Sequence, residues 1–180
     1  HPKRKTKVVF VQLGSPSEPT TKALRKYLRK FLGDPRVVDI NPWLWKIILN
    51  LFVLPFRPKK SAKLYARIWD GKNFPLITNT RDFTNNVREE LKKIDPNGYV
   101  EVNHAFLLSP PYVNEVYDDW ENDLKKGIGA TKLLVIPMFP QYSESTIASG
   151  IDALAKELSK RVKIPTFEVI TNFHRTHAFI

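Results

Sequence analysis

Four short runs rich in β-branched and aliphatic residues, Val8–Leu13, Tyr99–Phe106, Lys132–Pro137 and Thr166–Ile170, punctuate this chain. Runs of this length bounded by turn residues read as buried strands. Between them lie segments whose apolar residues recur at helical period. Thr21–Leu32 opens after Pro19 with Thr20 as its expected N-cap and closes at Gly33-Asp-Pro35. Ser61–Trp69 and Thr80–Ile94 follow, the latter stopped by Asp95-Pro-Asn-Gly98. Tyr112–Lys126 ends at Gly127, and Ser145–Val162 leads through Pro165 into the last run. Strands alternating with helices leave few options. Each helix carries the chain back, so the strands lie parallel, and helices cover both faces of the sheet. The expected fold is α/β with a four-stranded parallel sheet.

Ligands of such sheets bind outside the carboxyl ends of the strands. Those ends are Leu13-Gly-Ser-Pro16, Phe106-Leu-Leu-Ser-Pro-Pro111, Pro137-Met-Phe-Pro-Gln-Tyr-Ser143 and Thr171-Asn-Phe-His-Arg-Thr-His177. Residues 34–79, between the first two strands, form an insertion with helices of its own. In it the apolar run Trp43–Phe56 flows into the basic segment Arg57–Trp69. That junction suits a flat apolar molecule with acidic edges, or an anionic membrane surface.

Charge points to the same third of the chain. The net charge is +11, yet through Arg67 there are 16 Lys/Arg against 3 Asp/Glu, and the remainder holds 13 against 15. A one-sided basic field favours an acidic partner. There are no cysteines, which excludes disulfides, thiolate metal clusters and cysteine nucleophiles. No apolar run reaches the ~18 residues needed to span a bilayer, and Lys46 and Asn50 interrupt the best candidate. The start, His1–Lys7, lacks the apolar core of a signal peptide. The expected location is cytoplasmic, with membrane contact only at the surface.

Familiar chemical signatures are missing. There is no G-x-x-x-x-G-K-[ST] loop, Gly14 lacks the companion glycines of a dinucleotide fingerprint, and neither H-E-x-x-H nor a nucleophile elbow occurs. His174 and His177 stand three apart without a carboxylate, a weak metal signal. His104, within a strand, reads as a satisfied buried histidine. Ser143, Ser145 and Thr146 read as an N-cap cluster for the long helix.

Four blocks carry a resemblance: Phe10-Val-Gln-Leu-Gly-Ser-Pro16, Phe31-Leu-Gly-Asp-Pro-Arg-Val-Val-Asp39, Leu54-Pro-Phe-Arg-Pro-Lys-Lys-Ser-Ala-Lys-Leu-Tyr65 and Phe139-Pro-Gln-Tyr-Ser143. In order and approximate spacing the chain resembles the N-terminal half of ferrochelatases, which insert ferrous iron into protoporphyrin IX in haem synthesis. The resemblance implies a chelatase-like, Rossmann-type three-layer domain over residues 1–180, with the insertion 34–79 as a helical lip. It implies no permanently bound cofactor, with ferrous iron as a substrate. It implies porphyrin contacts at Leu13, Arg57 and Tyr65, Arg57 and Tyr65 near a propionate. Read from the residues alone, Tyr65 is equally a core aromatic and Leu13 equally a packing residue. Lys59 and Lys60 read as solvated helix-start charges.

Tyr142 and His177 match family positions along an iron path, and Phe173 stands where many members carry Trp; from spacing alone His177 is an exposed histidine. The family's catalytic histidine, in a Ser-Ala-His motif, and its partner glutamate fall beyond Ile180, so no catalytic residue is identified here and the isolated chain is expected to be inactive. Two departures stand out: Leu107-Leu108 replaces an Arg-Tyr pair, and Asn73-Phe-Pro75 replaces a glycine-serine-proline loop. About half of the Trp43–Phe56 run is expected in the core, with Leu49, Leu51 and Leu54 its natural candidates. The alternatives are a non-enzymatic tetrapyrrole-binding module, a short homodimeric chelatase, or a basic surface binder. No nucleic-acid motif supports a nucleic-acid partner.

Overall fold

The computed structural model describes residues 5–127, 129–177 and 179. The chain forms two compact units, one of His1–Leu13 with Thr80–Ile180 and the other of Gly14–Asn79. The first is called the sheet unit here and the second the helical unit.

The sheet unit holds β1 (Thr6–Gln12), β2 (Val100–Phe106), β3 (Lys132–Pro137) and β4 (Thr166–Val169), all parallel in the order β2-β1-β3-β4. The expected α/β fold is what forms. Side-chain alternation along β1 splits the core in two. Val9 and Val11, with Ala105, Leu133 and Val135, pack beneath α5 (Val113–Lys125) and α6 (Ser149–Leu158). Val8, Phe10 and Val102 face Val87 and Leu91 of α4 (Pro75–Ile94), where Phe83 meets Phe10 edge-on at 5.1 Å.

Polar ties hold the layers. Lys7 is buried on β1 and pairs with Glu101 at 3.3 Å and Asp123 at 3.8 Å. Its long stem fills apolar space while the ammonium is compensated, the condition on which a buried charge is tolerated. Arg88 donates to the Val102 carbonyl (2.7 Å) and to Asn103 Oδ1 (2.8 Å), fastening α4 to the edge strand. Arg161, just past α6, reaches Asp118 (2.7 Å) and Glu121 (3.1 Å) on α5. The Asp95-Pro-Asn-Gly98 stop forms as expected: Asp95 Oδ2 accepts the Val100 N–H at 2.7 Å, and Gly98 takes φ +65, a value side chains disfavour.

The helical unit contains α1 (Thr21–Leu32), α2 (Pro42–Ile48), a π turn (Leu49–Val53), α3 (Arg57–Tyr65) and a 3-10 turn (Ala66–Ile68). Thr20 caps α1 by accepting the Ala23 N–H at 3.2 Å, and Leu24, Tyr27, Leu28 and Leu32 bury the i, i+3, i+4 face that packs on α3. Trp45 Nε1 donates to the Leu32 carbonyl at 2.7 Å. Phe74 closes the unit between the rings of Tyr65 (5.5 Å) and Trp69 (4.7 Å).

Several boundaries differ from expectation. The helix expected at Ser61–Trp69 begins at Arg57, because Pro58 suits the first turn of a helix, and it tightens into a 3-10 turn before the extended Trp69. The helix expected at Thr80 begins at Pro75 for the same reason. The single helix expected over Ser145–Val162 is a π turn, Glu144–Ala148, followed by α6, which ends at Leu158.

The apolar run departs most. Of the three leucines expected in the core, Leu49 and Leu54 are buried but Leu51 is 62% exposed. The π turn explains it: the Leu54 N–H reaches the Leu49 carbonyl at 2.8 Å. A five-residue repeat therefore places Leu49 and Leu54 on one side and turns Leu51 outward. Trp43, Leu44, Ile47, Phe52 and Phe56 are also exposed, so well under half of the run is core.

Candidate functional site

In the sheet unit, β2 lies on one side of β1 while β3 and β4 lie on the other. The crevice at the carboxyl ends, beside that reversal, is where such sheets take ligands. Leu13 stands there directly after β1, its N–H held by Gln12 Oε1 at 2.9 Å. Leu107 and Leu108 continue β2 along the same edge: their N–H groups donate to the carbonyls of Gln12 and Leu13, each at 3.0 Å. From the third strand, Met138 N–H donates to the Val11 carbonyl at 2.8 Å. The edge nearest the switch point is thus lined by backbone-locked apolar residues.

The iron-path candidates stand near the same edge. Tyr142 is half exposed and its hydroxyl donates to Glu144 Oε1 at 3.3 Å. The loop after β4 is tied back where the Phe173 and His174 N–H groups share the Pro140 carbonyl at 3.0 and 3.1 Å. His174 Nδ1 lies 3.3 Å from that same oxygen. His177 is exposed. Among the described residues no group of three or more His, Asp or Glu is arranged to hold a metal. Tyr142 and His177 are accessible side chains, and no closed coordination set surrounds them.

The N-cap cluster forms with an altered division of labour. Ser143 sits in extended backbone at the start of the π turn, and its carbonyl accepts the N–H groups of Thr146, Ile147 and Ala148. Its hydroxyl bonds to the Thr146 hydroxyl and caps no N–H. His104 corrects the expectation of a satisfied histidine: its Nδ1 is buried with no hydrogen-bond partner among the described residues. Burial, and then the positive charges of Arg88 and Arg81, depress its proton affinity below the ordinary value of 6.5.

In the helical unit, Arg57 and Tyr65 are the first and last residues of α3. Eight residues at 1.5 Å rise separate them by about 12 Å along the helix. Arg57 is exposed, follows the exposed Phe56, and makes no ion pair with another described residue. Tyr65 is half-buried, its ring 6.3 Å from Tyr27 and 5.5 Å from Phe74. It therefore contributes to the core while keeping a face toward solvent. Burial foremost, helped by the neighbouring Tyr65 hydroxyl, raises the Tyr27 hydroxyl pKa, so it stays protonated and donates to the Gly14 carbonyl at 3.4 Å.

Two surface features mark this unit, of which the basic face of α1 was not singled out from the sequence. Lys22, Arg25, Lys26, Arg29 and Lys30 occupy the exposed side of α1. The unit as a whole holds thirteen Lys/Arg against four Asp/Glu. Helical spacing in Thr21–Leu32 was the available signal, since it separates the cations cleanly from Leu24, Tyr27, Leu28 and Leu32. The other feature is the exposed apolar face of α2 and the π turn, where Trp43 is 78% and Phe56 73% exposed. Lys46 lies 5.8 Å from the Trp43 ring.

A doubly covered parallel sheet with a reversal beside β1 and a long insertion in the chain after that strand defines an open α/β domain of the ligand-binding kind. Comparison with known proteins narrows the class. The family model described as Ferrochelatase matches residues 5–180, and the chain belongs to the ferrochelatase family. A ferrochelatase of Idiomarina loihiensis is 42% identical over 173 residues, covering 96% of this chain and 46% of that protein. One from Marinobacter nauticus is 39% identical, covering 93% and 44%. A coproporphyrin III ferrochelatase of Streptococcus mutans is 36% identical, covering 98% and 53%. The chain thus spans about half the length of the curated relatives it matches.

Proposed function

We propose that this chain is the N-terminal, porphyrin-holding part of an enzyme that inserts ferrous iron into protoporphyrin IX in haem biosynthesis. The observation that carries the reading is the junction at Phe56-Arg57, where an exposed aromatic side chain meets an exposed guanidinium that pairs with no described residue, on the first turn of α3. A porphyrin is a large apolar disc with carboxylates on its rim, so its site needs apolar walls and a cationic border. A guanidinium matches a propionate bidentately. In this reading Arg57 takes a propionate, Tyr65 stands near it, and Leu13 presses on the macrocycle. Tyr142 and His177 supply oxygen and imidazole donors that pass iron along without trapping it as thiolates do. Ferrous iron is substrate, and no resident cofactor is involved.

Insertion exchanges two pyrrole protons for the metal, so a base must stand within hydrogen-bond reach of those nitrogens. No such base is identified in these 180 residues, and the chain by itself is expected to bind porphyrin without turnover. A clear rate of metal insertion by these residues alone overturns that expectation. For the wider reading, absorbance titration with protoporphyrin IX should give saturable binding that Arg57→Ala weakens. Absence of any binding by the protein expressed to the end of its reading frame sinks it.

The exposed face of α2 and the π turn, flanked by cations, also supports peripheral contact with an anionic bilayer. No helix among the described residues is long and apolar enough to cross one. Binding to vesicles containing anionic lipid, lost in Trp43→Glu, tests this. The second reading is a tetrapyrrole-binding module without activity, favoured by the apolar Leu107-Leu108 at the sheet edge. Binding without metal insertion in the protein expressed through its whole reading frame selects it.

A further inference from the structure

We infer that Arg88 closes the outer edge of β2 to strand pairing and so keeps two copies of the protein from joining sheet to sheet. In the order β2-β1-β3-β4, β2 is an outer strand of seven residues. Alternate residues of a parallel strand send both backbone groups to the same side. The Thr6 N–H bonds to the Tyr99 carbonyl and the Leu107 N–H to the Gln12 carbonyl. The odd-numbered residues of β2 therefore face β1, and Val100, Val102, His104 and Phe106 turn their N–H and C=O groups outward. Such a row is a template for another strand unless something occupies it.

Much of the row is occupied from within the chain. Asp95 Oδ2 accepts the Val100 N–H at 2.7 Å, and the Pro111 carbonyl accepts the Phe106 N–H at 2.8 Å. Between these two, Arg88 Nε donates to the Val102 carbonyl at 2.7 Å. An incoming strand would place its own amide nitrogen about 2.9 Å from that oxygen, so the guanidinium stands where the strand must lie. Two further bonds hold it there, Nη2 to Asn103 Oδ1 at 2.8 Å and Nη1 to Asn85 Oδ1 at 3.0 Å. The outward groups of His104 bond to no described residue, so the middle of the edge depends on Arg88. A groove of ≈ 350 Å³ opens beside it, lined by Leu91, Val100 and Val102 among others.

Charge gives this edge no other protection. Two β2 strands paired antiparallel about a two-fold axis at Val102 set Glu101 of one copy against Asn103 of the other, so no like charges meet. The opposite edge is guarded differently. β4 is only four residues long, and Pro165 before it has no N–H to offer.

The test is made on the protein expressed to the end of its reading frame. In sedimentation over a series of concentrations, Arg88→Ala should self-associate about tenfold or more tightly than wild type. Hydrogen exchange locates the contact: the His104 amide should gain protection as Arg88→Ala is concentrated, and should not in wild type. Arg88→Gln, which serves if the alanine variant does not fold, should move both readouts the same way by a smaller factor. Leu154→Ala loosens the core beneath α5 and α6 and leaves Arg88 in place, so it should lower the urea midpoint without association. Folded Arg88 variants that associate no more than wild type, or that associate without protecting His104, overturn the inference. Equal association in Leu154→Ala also overturns it, since the cause is then lost stability. So does a wild type whose His104 amide is already protected on concentration, since the edge is then open with Arg88 present.

Discussion

The sheet unit and the helical unit use the same residue types to opposite ends. In the sheet unit, large apolar side chains are inside: Phe106, Trp120, Tyr117 and the β1 valines are buried, and charge is nearly balanced. Its cations are spent on internal ties, such as Lys7 to Glu101, Arg88 to the Val102 carbonyl and Arg161 to Asp118. In the helical unit Trp43, Phe52 and Phe56 face outward, and Lys22, Arg25, Lys26, Arg29, Arg57, Lys59, Lys60 and Lys63 make no ion pair with described residues. One unit consumes its binding capacity in folding and the other keeps it available. Large exposed apolar patches are unusual on a surface that touches only water.

The comparison breaks first, if it is wrong, at the aromatic residues. Trp120→Ala removes a buried indole and its 2.7 Å bond to the Ala130 carbonyl. It should cost about 3–5 kcal/mol in urea unfolding. Phe52→Ala, of similar chemistry but 66% exposed, should lie within ~0.5 kcal/mol of wild type. Comparable losses at both sites would show that the helical unit's face is a core after all. Next in size is Arg57→Ala, expected to weaken porphyrin binding about tenfold through loss of a charge-assisted bond, with the urea midpoint unchanged. A fall in stability in place of affinity would assign Arg57 to the scaffold.

A smaller effect sharpens the contrast inside the sheet unit. His104 has a depressed folded pKa, so the unfolded chain binds the proton more readily. Stability from this group is present in full above the ordinary value of 6.5 and declines as the pH falls from there toward the lowered folded value. Denaturant midpoints of wild type and His104→Leu, compared from pH 7 down to 5, should show the steeper acid loss in the wild type. Parallel profiles would mean the histidine is solvated. The smallest change concerns the cavity of ≈ 20 Å³ beneath α5 and α6, lined by Val9, Val11, Trp120 and Gly150 among others. A methyl added at Gly150 meets only Leu107 Cδ1, at 4.0 Å. Gly150→Ala should therefore stabilise by about 0.5–1 kcal/mol, read as a higher urea midpoint. Destabilisation would show that the cavity closes around the glycine.

Much of the fold was legible because its signals are local and redundant. The third strand, Lys132–Pro137, and the first helix, Thr21–Leu32 with its Thr20 cap, are where the residues place them. Alternation of strands and helices was enough for the parallel sheet. What could not be read is what depends on a deviation from regular geometry. A 3.6-residue repeat groups Leu51 with Leu54 three residues on, and only the i to i+5 bond of the π turn brings Leu54 round to the side of Leu49 and leaves Leu51 outside. The division of Ser145–Val162 into π turn and shorter helix fails for the same reason. Of the candidate site, Arg57 and Tyr65 were singled out through sequence blocks, but the Nδ1 of His104, unpartnered among the described residues, depends on what packs around it in three dimensions. The exposed state of His177 agrees with the reading from spacing alone.

The placement of the helical unit between β1 and β2 has a kinetic consequence. Thr6 pairs with Val100 across the whole insertion. Closing a flexible loop of that length costs about 4 kcal/mol of chain entropy before any ladder bond repays it, and such distant pairings are slow to form. An insertion that collapses early shortens the effective loop. Substitutions such as Leu28→Ala, which loosen the α1–α3 packing, should then slow refolding of the sheet more than they hasten its unfolding. The surface suited to ligand would thus rest on a structure that also sets the pace at which the first two strands find each other.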